Sequence, residues 1–180
     1  MNKEIAEVAY WIYQYVPLKT NENGVNYLHW IKKKLLYDEN YIDNLLEKHN
    51  EQTQIGIFDR VLLESGEYKH IPMMDFDIEK SPSNLELLVA RLKNSEIKEG
   101  WIVESGASYH YFGSSLLTET EWVDFIGRCL LTSVVHNRQN IQQIADPRFI
   151  GHSLRRGGCN LRITTRADKT FVPRVILTLE

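Results

Sequence analysis

The chain has 180 residues, enough for one domain with a sizeable core, and 43% of them are hydrophobic and 25% charged. It contains no apolar run of membrane-spanning length and no signal-peptide pattern, so we expect a cytoplasmic protein that does not contact a membrane. The two cysteines, Cys129 and Cys159, lack the spacing of a disulfide framework or of a structural zinc site.

The net charge of −3 is unevenly distributed. Residues 138–180 hold eight Lys and Arg against three Asp and Glu, whereas the rest of the chain is acidic. A basic C-terminal quarter suits a phosphate-bearing partner, such as a nucleotide or a nucleic acid. The alternative is an exposed strand face fringed with arginine.

The first fifty residues predict a helical segment. Apolar residues recur at helical spacing over residues 5–16, and residues 25–50 predict one or two amphipathic helices with a break near 38–40. We therefore expect a small helical unit (1–50) before a larger module (51–180). The N-terminal helices would offer a surface for a partner protein or for a second copy of the chain.

The middle of the chain predicts two strands, a helix and a further strand. Residues 53–63 and 69–78 are rich in strand-forming residues and are separated by a Ser-Gly turn. Residues 81–94 predict a helix, because Ser and Asn lie near its start and leucines follow at helical spacing. Residues 100–113 predict one strand interrupted by a glycine.

The last third predicts a helix and a terminal hairpin. Residues 118–135 open with Thr and Glu in capping-box order, which is typical of a helix start. Residues 159–166 and 171–180 alternate and predict two hairpin strands that turn at Ala167–Asp168. The order β-β-α-β-α-β-β predicts an α+β fold with a mainly antiparallel sheet covered by helices.

The stretch IPMMDFDIEK (71–80) brings two carboxylates together. Asp75 and Asp77 are two residues apart, so on a strand they share one face. Paired carboxylates suit Mg²⁺ or Mn²⁺, which prefer oxygen ligands and often complete their shell with substrate phosphates. The alternative is a solvated strand end, where the pair needs no cation.

The stretch SGASYHYFG (105–113) places small residues and hydroxyls beside a histidine. If the strand continues through it, Ser108 and His110 share a face. A histidine there can contact a triphosphate. The alternative is a strand histidine that is hydrogen-bonded to a neighbour.

The stretch ADPRFIGHSLRRGGCNLRITTR (145–166) is basic. One acid, Asp146, precedes five cationic or titratable side chains, which are Arg148, His152, Arg155, Arg156 and Arg162. The guanidinium fork of arginine matches phosphate oxygens, and the Gly157–Gly158 pair predicts a tight turn beside a ligand. A solvated basic turn is the alternative.

Taken together, the D-x-D strand, the S-x-H strand and the acid followed by a basic segment resemble the archaeo-eukaryotic primase superfamily. Residues 53–180 resemble the RRM-like (ferredoxin-like) catalytic module of its primase-polymerases, and the resemblance is greatest to its small primase 1D-like bacterial members. Within these 180 residues we expect neither the zinc-binding nor the helical accessory domain that assists primer initiation in larger relatives.

The resemblance implies a metal-dependent nucleotidyltransferase that acts on nucleoside triphosphates and on single-stranded or primed DNA or RNA. It implies that Asp75, Asp77 and Asp146 bind Mg²⁺ or Mn²⁺, and that His110 completes the catalytic set. It further implies a group of nucleotide and phosphate contacts, namely Ser108, His110, His152, Arg155, Arg156 and Arg162.

Two alternatives remain at this stage. One is a degenerate primase-like module that binds nucleic acid or nucleotide without chemistry. The other is a metal-dependent nuclease or a nicking enzyme with a tyrosine nucleophile. Such nickases usually need two metal-binding histidines that flank one residue, whereas the sequence SYHYF supplies only His110.

Overall fold

The structure, a computed structural model, describes residues 4–14, 26–38, 40–49, 51–137, 140–165 and 171–180. Its strands are β1 (Ile5–Gln14), β2 (Asn26–Lys32), β3 (Thr53–Leu63), β4 (Tyr68–His70), β5 (Met73–Asp75), β6 (Gly100–Glu104), β7 (Tyr109–Gly113), β8 (Val134–Asn137), β9 (Asn140–Gln142), β10 (Asn160–Arg162) and β11 (Arg174–Leu179). Its helices are α1 (Tyr41–Glu47), α2 (Pro82–Asn94), α3 (Glu119–Leu130) and α4 (Pro147–Arg156), with a 3₁₀ helix at Lys33–Tyr37.

The strands form two main sheets. In the first sheet the order is β10-β3-β1-β2, with β4 also paired to β3, and in the second it is β11-β6-β7-β5. β8 and β9 form a separate two-stranded ladder. All the strand pairings in the described part of the chain are antiparallel, so the predicted α+β class with mainly antiparallel sheets is confirmed.

The prediction of a helix over residues 5–16 is wrong, because this segment contains the strand β1. It pairs with β2 on one side and with β3 on the other, which makes it an interior strand of the first sheet. This strand carries apolar residues on both of its faces, and a short run of that kind cannot be told from a buried helix by periodicity alone. Its Ile, Val, Tyr and Trp content favours the strand.

The helical prediction for residues 25–50 is wrong in its first part. Residues Asn26–Lys32 form an edge strand, and only the 3₁₀ helix and the seven-residue α1 follow it. The N-terminal segment is therefore a β-hairpin with a short helical end, which removes the basis for an interface through N-terminal helices. The predicted boundary at residue 50 stays a prediction, and the β1–β3 ladder crosses it.

The strand predicted at 53–63 is confirmed, whereas the strand predicted at 69–78 is divided in two. β4 pairs with β3 in the first sheet, and β5 pairs with β7 in the second. Pro72 lies between them and has no N–H to donate to a ladder, so the chain changes sheets there. The division sets the D-x-D motif at the end of β5.

The strand predicted at 100–113 is a hairpin. β6 and β7 pair with each other, and the Ser105 N–H donates to the Ser108 carbonyl across the turn. Gly106 has a φ of +120°, a conformation that side chains other than glycine rarely adopt. The interruption predicted at this glycine is therefore a complete reversal of the chain.

The two capped helices were well predicted. Ser81 accepts a hydrogen bond from the Asn84 N–H at the start of α2, and Thr118 and Glu121 form a complete capping box at the start of α3. α3 ends at Leu130 rather than near residue 135, and the β8–β9 ladder after it was not predicted.

The terminal hairpin prediction is wrong, because β10 pairs with β3 in the first sheet and β11 pairs with β6 in the second. The turn predicted at Ala167–Asp168 lies outside the described residues. The basic turn predicted before β10 is the helix α4, which ends at Gly157 with a φ of +65°.

The two faces of the second sheet have different surroundings. One face packs against α2 and α3 through a core that includes Met74, Tyr111, Leu88 and Ile126. The other face is turned towards the first sheet, and a cleft lies between them. None of the helices in the described segments is long and apolar enough to cross a membrane.

Candidate active site

The cleft between the sheets contains a polar cavity of about 330 Å³. It gathers residues from both sheets and from the start of α4, and its lining includes Asp75, Asp77, Asp146, Ser108, His110, Arg162, Tyr13, Gln54 and Asn160. Six of the nine site residues predicted from the sequence thus line one cavity, although they come from segments far apart in the chain.

Asp75 lies at the centre of the polar residues because of two backbone pairings. On one side it is the register partner of His110 in the β5–β7 ladder. On the other side its carbonyl accepts a hydrogen bond of 3.2 Å from the Asp146 N–H, next to the Phe76–Ala145 bridge. Residues opposite each other in antiparallel strands share a face, so His110, Asp75 and Asp146 form a row.

Asp77 follows Asp75 on the same face. Its N–H donates to the Ile144 carbonyl at 2.7 Å, which continues the pairing with the segment before α4. Its carboxylate accepts a weak hydrogen bond of 3.4 Å from the Gln143 amide. Asp77 is exposed, so the cost of holding two carboxylates on one face is reduced by water.

Asp146 has a structural role as well as a place in the cavity. Its carboxylate accepts a hydrogen bond of 2.8 Å from the Arg148 N–H and so caps the N-terminus of α4. Pro147 follows at the first helical position, where its missing N–H costs nothing. The segment therefore presents an acid beside Asp75, although it lies outside any named strand.

His110 is a buried histidine with one unpartnered nitrogen. Only 6% of its surface is exposed, and its Nε2 lies 3.4 Å from the Asp75 carboxylate. Its Nδ1 has no hydrogen-bond partner. Burial lowers the pKa of His110 to about 3, with a further contribution from the Arg162 charge, so the imidazole is neutral.

The Ser108 hydroxyl is bonded to the backbone around the D-x-D motif and is not free in the cavity. It donates to the Phe76 carbonyl and accepts from the Ile78 N–H at 3.3 Å. These bonds fix the chain on both sides of Asp77. In the S-x-H motif the serine thus orients the acids, and the histidine faces the cavity.

Arg162 brings a positive charge to the cavity from β10. Its guanidinium donates to the backbone carbonyls of Ser105 and Phe171, both at 2.9 Å, and to that of Thr164. These bonds hold the guanidinium group in position between the two sheets. Its charge faces the same cavity as His110, consistent with its effect on the pKa of that residue.

Gln54 is a cavity residue that sequence reasoning missed. It lies near the start of β3 in the first sheet and is 2% exposed, and its Nε2 has no hydrogen-bond partner. Tyr13 and Asn160 reach the cavity from β1 and β10. No motif marks these three residues, because only the packing of the first sheet against the second brings them to the acids.

Three predicted phosphate contacts lie outside the cavity lining. His152, Arg155 and Arg156 are exposed on α4, in its second half. The Arg156 guanidinium lies over the Trp11 ring of β1, 5.0 Å from its centre. The predicted basic segment is therefore divided: Arg162 lies in the cavity, and the other basic residues lie on α4, outside the cavity lining.

The donor types in the cavity suit a hard divalent cation, because Asp75, Asp77 and Asp146 supply carboxylate oxygens. Among the described residues, however, no three His, Cys, Asp or Glu side chains form a group that could hold a metal ion. A cation here would therefore need ligands from elsewhere.

Comparison with known proteins identifies the family. A family model described as archaeo-eukaryotic primase 1D-like matches residues 33–173, a span that contains every site residue predicted from the sequence. No curated protein and no solved structure matched the chain. Because the family model covers well over half of the chain, the protein belongs to the archaeo-eukaryotic primase superfamily, as a primase 1D-like member.

Proposed function

We propose that the protein is a metal-dependent nucleotidyltransferase of the primase-polymerase type. One observation carries the proposal: Asp75, Asp77, Asp146 and His110 line a single cavity, with His110, Asp75 and Asp146 in a row. The family membership supports a primase-like function, and this geometry supports the location of the reaction.

Asp75 and Asp77, with Asp146, are the residues that would hold Mg²⁺ or Mn²⁺. Magnesium in phosphoryl-transfer sites is commonly bound by one or two carboxylates and by substrate phosphates rather than by a cage of protein ligands. The lack of a three-ligand group among the described side chains is compatible with that arrangement. The cation, when bound, offsets negative charge between the attacking hydroxyl and the phosphates.

His110 and Gln54 are the proposed nucleotide contacts. Each is buried, lines the cavity and has one unpartnered nitrogen, and buried polar atoms in native proteins nearly always have a partner. A phosphate or sugar oxygen of a nucleotide can supply that partner. Arg162 adds a fixed positive charge for the phosphates.

In the proposed reaction a 3′-hydroxyl oxygen bonds to the α-phosphorus, and the bond between that phosphorus and the bridging oxygen breaks. The hydroxyl proton passes to water, and pyrophosphate leaves. The protein contributes positioning and electrostatics, which is the usual division of work in phosphoryl transfer. Ser108 serves this step by holding the backbone around Asp77.

The strand order supports an RRM-like module. β5, α2, β6, β7, α3 and the segment at 144–146 follow one another in the chain, and the segment lies antiparallel beside β5 at the Phe76–Ala145 bridge. The spatial order β6-β7-β5-(144–146) is that of a split βαβ pair with four antiparallel strands. β11 would then be an added strand on the β6 edge.

The proposal is tested by primer extension with a labelled nucleotide and Mn²⁺. Asp75→Asn and Asp77→Asn should each reduce incorporation at least about 100-fold, because each removes a negative charge that would hold the divalent cation beside the reacting phosphates. Asp43→Asn is the matched control, since Asp43 is an exposed acid on α1. Incorporation that survives in Asp77→Asn would contradict the mechanism.

A second candidate is a module that binds nucleotide or nucleic acid without chemistry. It is favoured by the commitment of the Asp146 carboxylate to the α4 cap and by the lack of a three-ligand group among the described side chains. It predicts that the wild-type protein binds single-stranded DNA equally well with Mn²⁺ or EDTA and incorporates nothing.

A further inference from the structure

α4 has one strongly basic face. Arg148, His152, Arg155 and Arg156 lie at positions i, i+4, i+7 and i+8, so their side chains leave the helix on the same side. All four are exposed, whereas Ile150 on the opposite side is buried in the core. We refer to these four residues as the α4 basic face.

The α4 basic face forms no ion pair with an acid in the described part of the chain, although the charge of the buried Asp59 acts on Arg156. The first turn of α4 holds no acid. By contrast, Arg128 on α3 is paired with both Asp124 and Glu96. The α4 basic face therefore presents a net positive potential to solvent.

The α4 basic face runs from the cavity to an aromatic side chain. α4 begins at Asp146 in the cavity lining, and its ten residues extend about 15 Å. At its other end the Arg156 guanidinium lies 5.0 Å from the centre of the Trp11 ring. The Trp11 indole is half-buried, and its Nε1 donates to Asn26 at 2.5 Å, which fixes the orientation of the ring.

Trp11 is connected to the cavity along β1 as well. Tyr13 is two residues further on, shares its face of the strand and lines the cavity. Phe58 of β3 packs beside Trp11, with ring centroids 5.4 Å apart. Aromatic surface and positive charge thus meet at one rim of the proposed active site.

We propose that the α4 basic face and Trp11 form a binding track for one strand of single-stranded nucleic acid that enters or leaves the cavity. Arginines on the track would bind backbone phosphates, and an unpaired base would take the place of the Arg156 guanidinium over the indole. Arginine-lined grooves with aromatic stacking positions are how proteins bind single strands without reading their sequence. A duplex suits the track less well, because its bases are already stacked.

The inference rests on the proposed function in one respect: only that function identifies the bound strand as a template or a primer. It accounts for the three predicted phosphate contacts that lie outside the cavity. His152, Arg155 and Arg156 would bind the polymer backbone, and the triphosphate would be bound within the cavity.

The test is fluorescence anisotropy with a labelled oligothymidylate of about 12 nucleotides, within the usual site size for such surfaces. The titration is done in EDTA without nucleotide, so that it reports on the track alone. The triple variant Arg148→Ala/Arg155→Ala/Arg156→Ala should bind at least about tenfold more weakly and lower the salt slope by about 2, from three lost phosphate contacts. Trp11→Ala should weaken binding about tenfold.

Two controls keep the test specific. Arg91→Ala/Lys93→Ala/Lys98→Ala removes the same number of charges from α2 and the residues after it, on the helical side of the second sheet, and should leave affinity unchanged. Trp11→Phe keeps an aromatic ring beside Phe58 and should bind better than Trp11→Leu, which keeps apolar packing there without a ring; this pair separates stacking from loss of packing.

The proposal is overturned if the triple variant on α4 binds like the wild type, or if the wild type does not bind the oligonucleotide at low salt. Duplex binding as tight as single-strand binding, with no effect of Trp11→Ala, would also overturn it. Asp75→Asn should bind the oligonucleotide normally. If Asp75→Asn stays active but the α4 variant loses binding, the proposed mechanism fails and the track stands.

Discussion

The protein contains two buried histidine sites that differ in how their polar atoms are partnered. His70 on β4 is 2% exposed, with Nδ1 3.0 Å from the Asp59 carboxylate and Nε2 2.9 Å from that of Glu119. In the cavity, His110 and Gln54 each keep a buried nitrogen without a partner.

The His70 site is held together by its own partners, whereas the His110 site has unpartnered nitrogens beside a cavity. The charged groups around His70 are partnered: Asp59 also accepts the Cys159 N–H at 3.0 Å, and the imidazole stacks at 4.8 Å on Trp122, whose own Nε1 has no hydrogen-bond partner. Leaving a buried polar atom unpaired costs free energy, so unpaired atoms that line a cavity indicate a missing partner. The hydrogen-bond partners of a buried histidine, rather than its burial, therefore indicate whether it has a structural role or a binding role.

The pKa values of the two histidines move in opposite directions. Burial alone would lower the pKa of His70, but hydrogen bonds and charge from Asp59, and then from Glu119, outweigh it and raise the pKa. At His110 burial and the Arg162 charge both lower it. The two carboxylates thus favour the protonated form of His70, whereas the His110 imidazole is neutral.

The largest effect on stability is expected from His70→Ala. It leaves the Asp59 carboxylate, which is 0% exposed, without its histidine partner, and breaking a buried pair from one side costs about 3 kcal/mol or more. Urea unfolding measures the loss. Glu119→Gln should cost about 1 kcal/mol or less, because that carboxylate is 61% exposed. Equal losses of unfolding free energy in the two variants would contradict the account that the buried His70–Asp59 pair contributes most of the stability of this site.

The next largest effect is expected from His110→Leu, on binding rather than on stability. The substitution removes Nδ1 while filling a similar volume, so we expect nucleotide affinity to fall about 10- to 100-fold, the usual range for a hydrogen bond to a charged group. Calorimetry with a non-hydrolysable nucleoside triphosphate and Mn²⁺ measures it. If the variant binds the nucleotide as tightly as the wild type does, His110 is not a nucleotide contact.

The third prediction concerns pH. The folded-state pKa of His70 is raised, so the native state binds more protons than the unfolded state above about pH 6.5, the ordinary histidine value. The stabilisation is complete below that pH and is lost as pH rises through the folded pKa, with a slope of up to about 1.4 kcal/mol per pH unit.

The charged groups that face His70 are Asp59 from β3 and Glu119 from α3, with Arg60 3.8 Å from Glu119. His70→Gln should flatten the dependence of the unfolding free energy on pH above 6.5. His152→Gln, at an exposed histidine on α4, should leave the curve as it is. A wild-type curve that rises with pH in this range would mean that Asp59 and Glu119 do not hold a proton on His70.

The smallest effect is expected from Gln54→Leu. Because the Gln54 Nε2 has no partner, its replacement by an apolar group should leave the unfolding free energy unchanged or raise it. Nucleotide affinity should fall about 2- to 10-fold for the loss of one neutral hydrogen bond. A loss of stability with unchanged affinity would identify Gln54 as a structural residue.

The family resemblance and the residues around the acids were readable from the sequence because they depend on local spacing. Asp75 and Asp77, and Ser108 and His110, are two apart on neighbouring strands, so the strand period alone aligns each pair. The membership implied by these motifs is confirmed by the family match.

The first sheet and the cavity residues that it supplies could not be predicted in the same way. β1 carries apolar residues on both faces, so its pattern resembles a helix, and Tyr13 and Gln54 reach the cavity only through the pairing of β1 with β3. β10 and β11 alternate like hairpin partners, but they pair with different sheets. Long-range pairing of this kind leaves no local signal in one sequence.

The central claim is that Asp75 and Asp77 hold the cation on which nucleotidyl transfer depends. The most direct measurement is anomalous diffraction from crystals soaked with Mn²⁺ and a non-hydrolysable nucleoside triphosphate. We predict a Mn²⁺ peak about 2.1 Å from carboxylate oxygens of both residues, with the nucleotide phosphates in its shell and within hydrogen-bonding distance of the His110 Nδ1. Nucleotide bound elsewhere, or bound in the cavity with no Mn²⁺ at these two carboxylates, would contradict the claim.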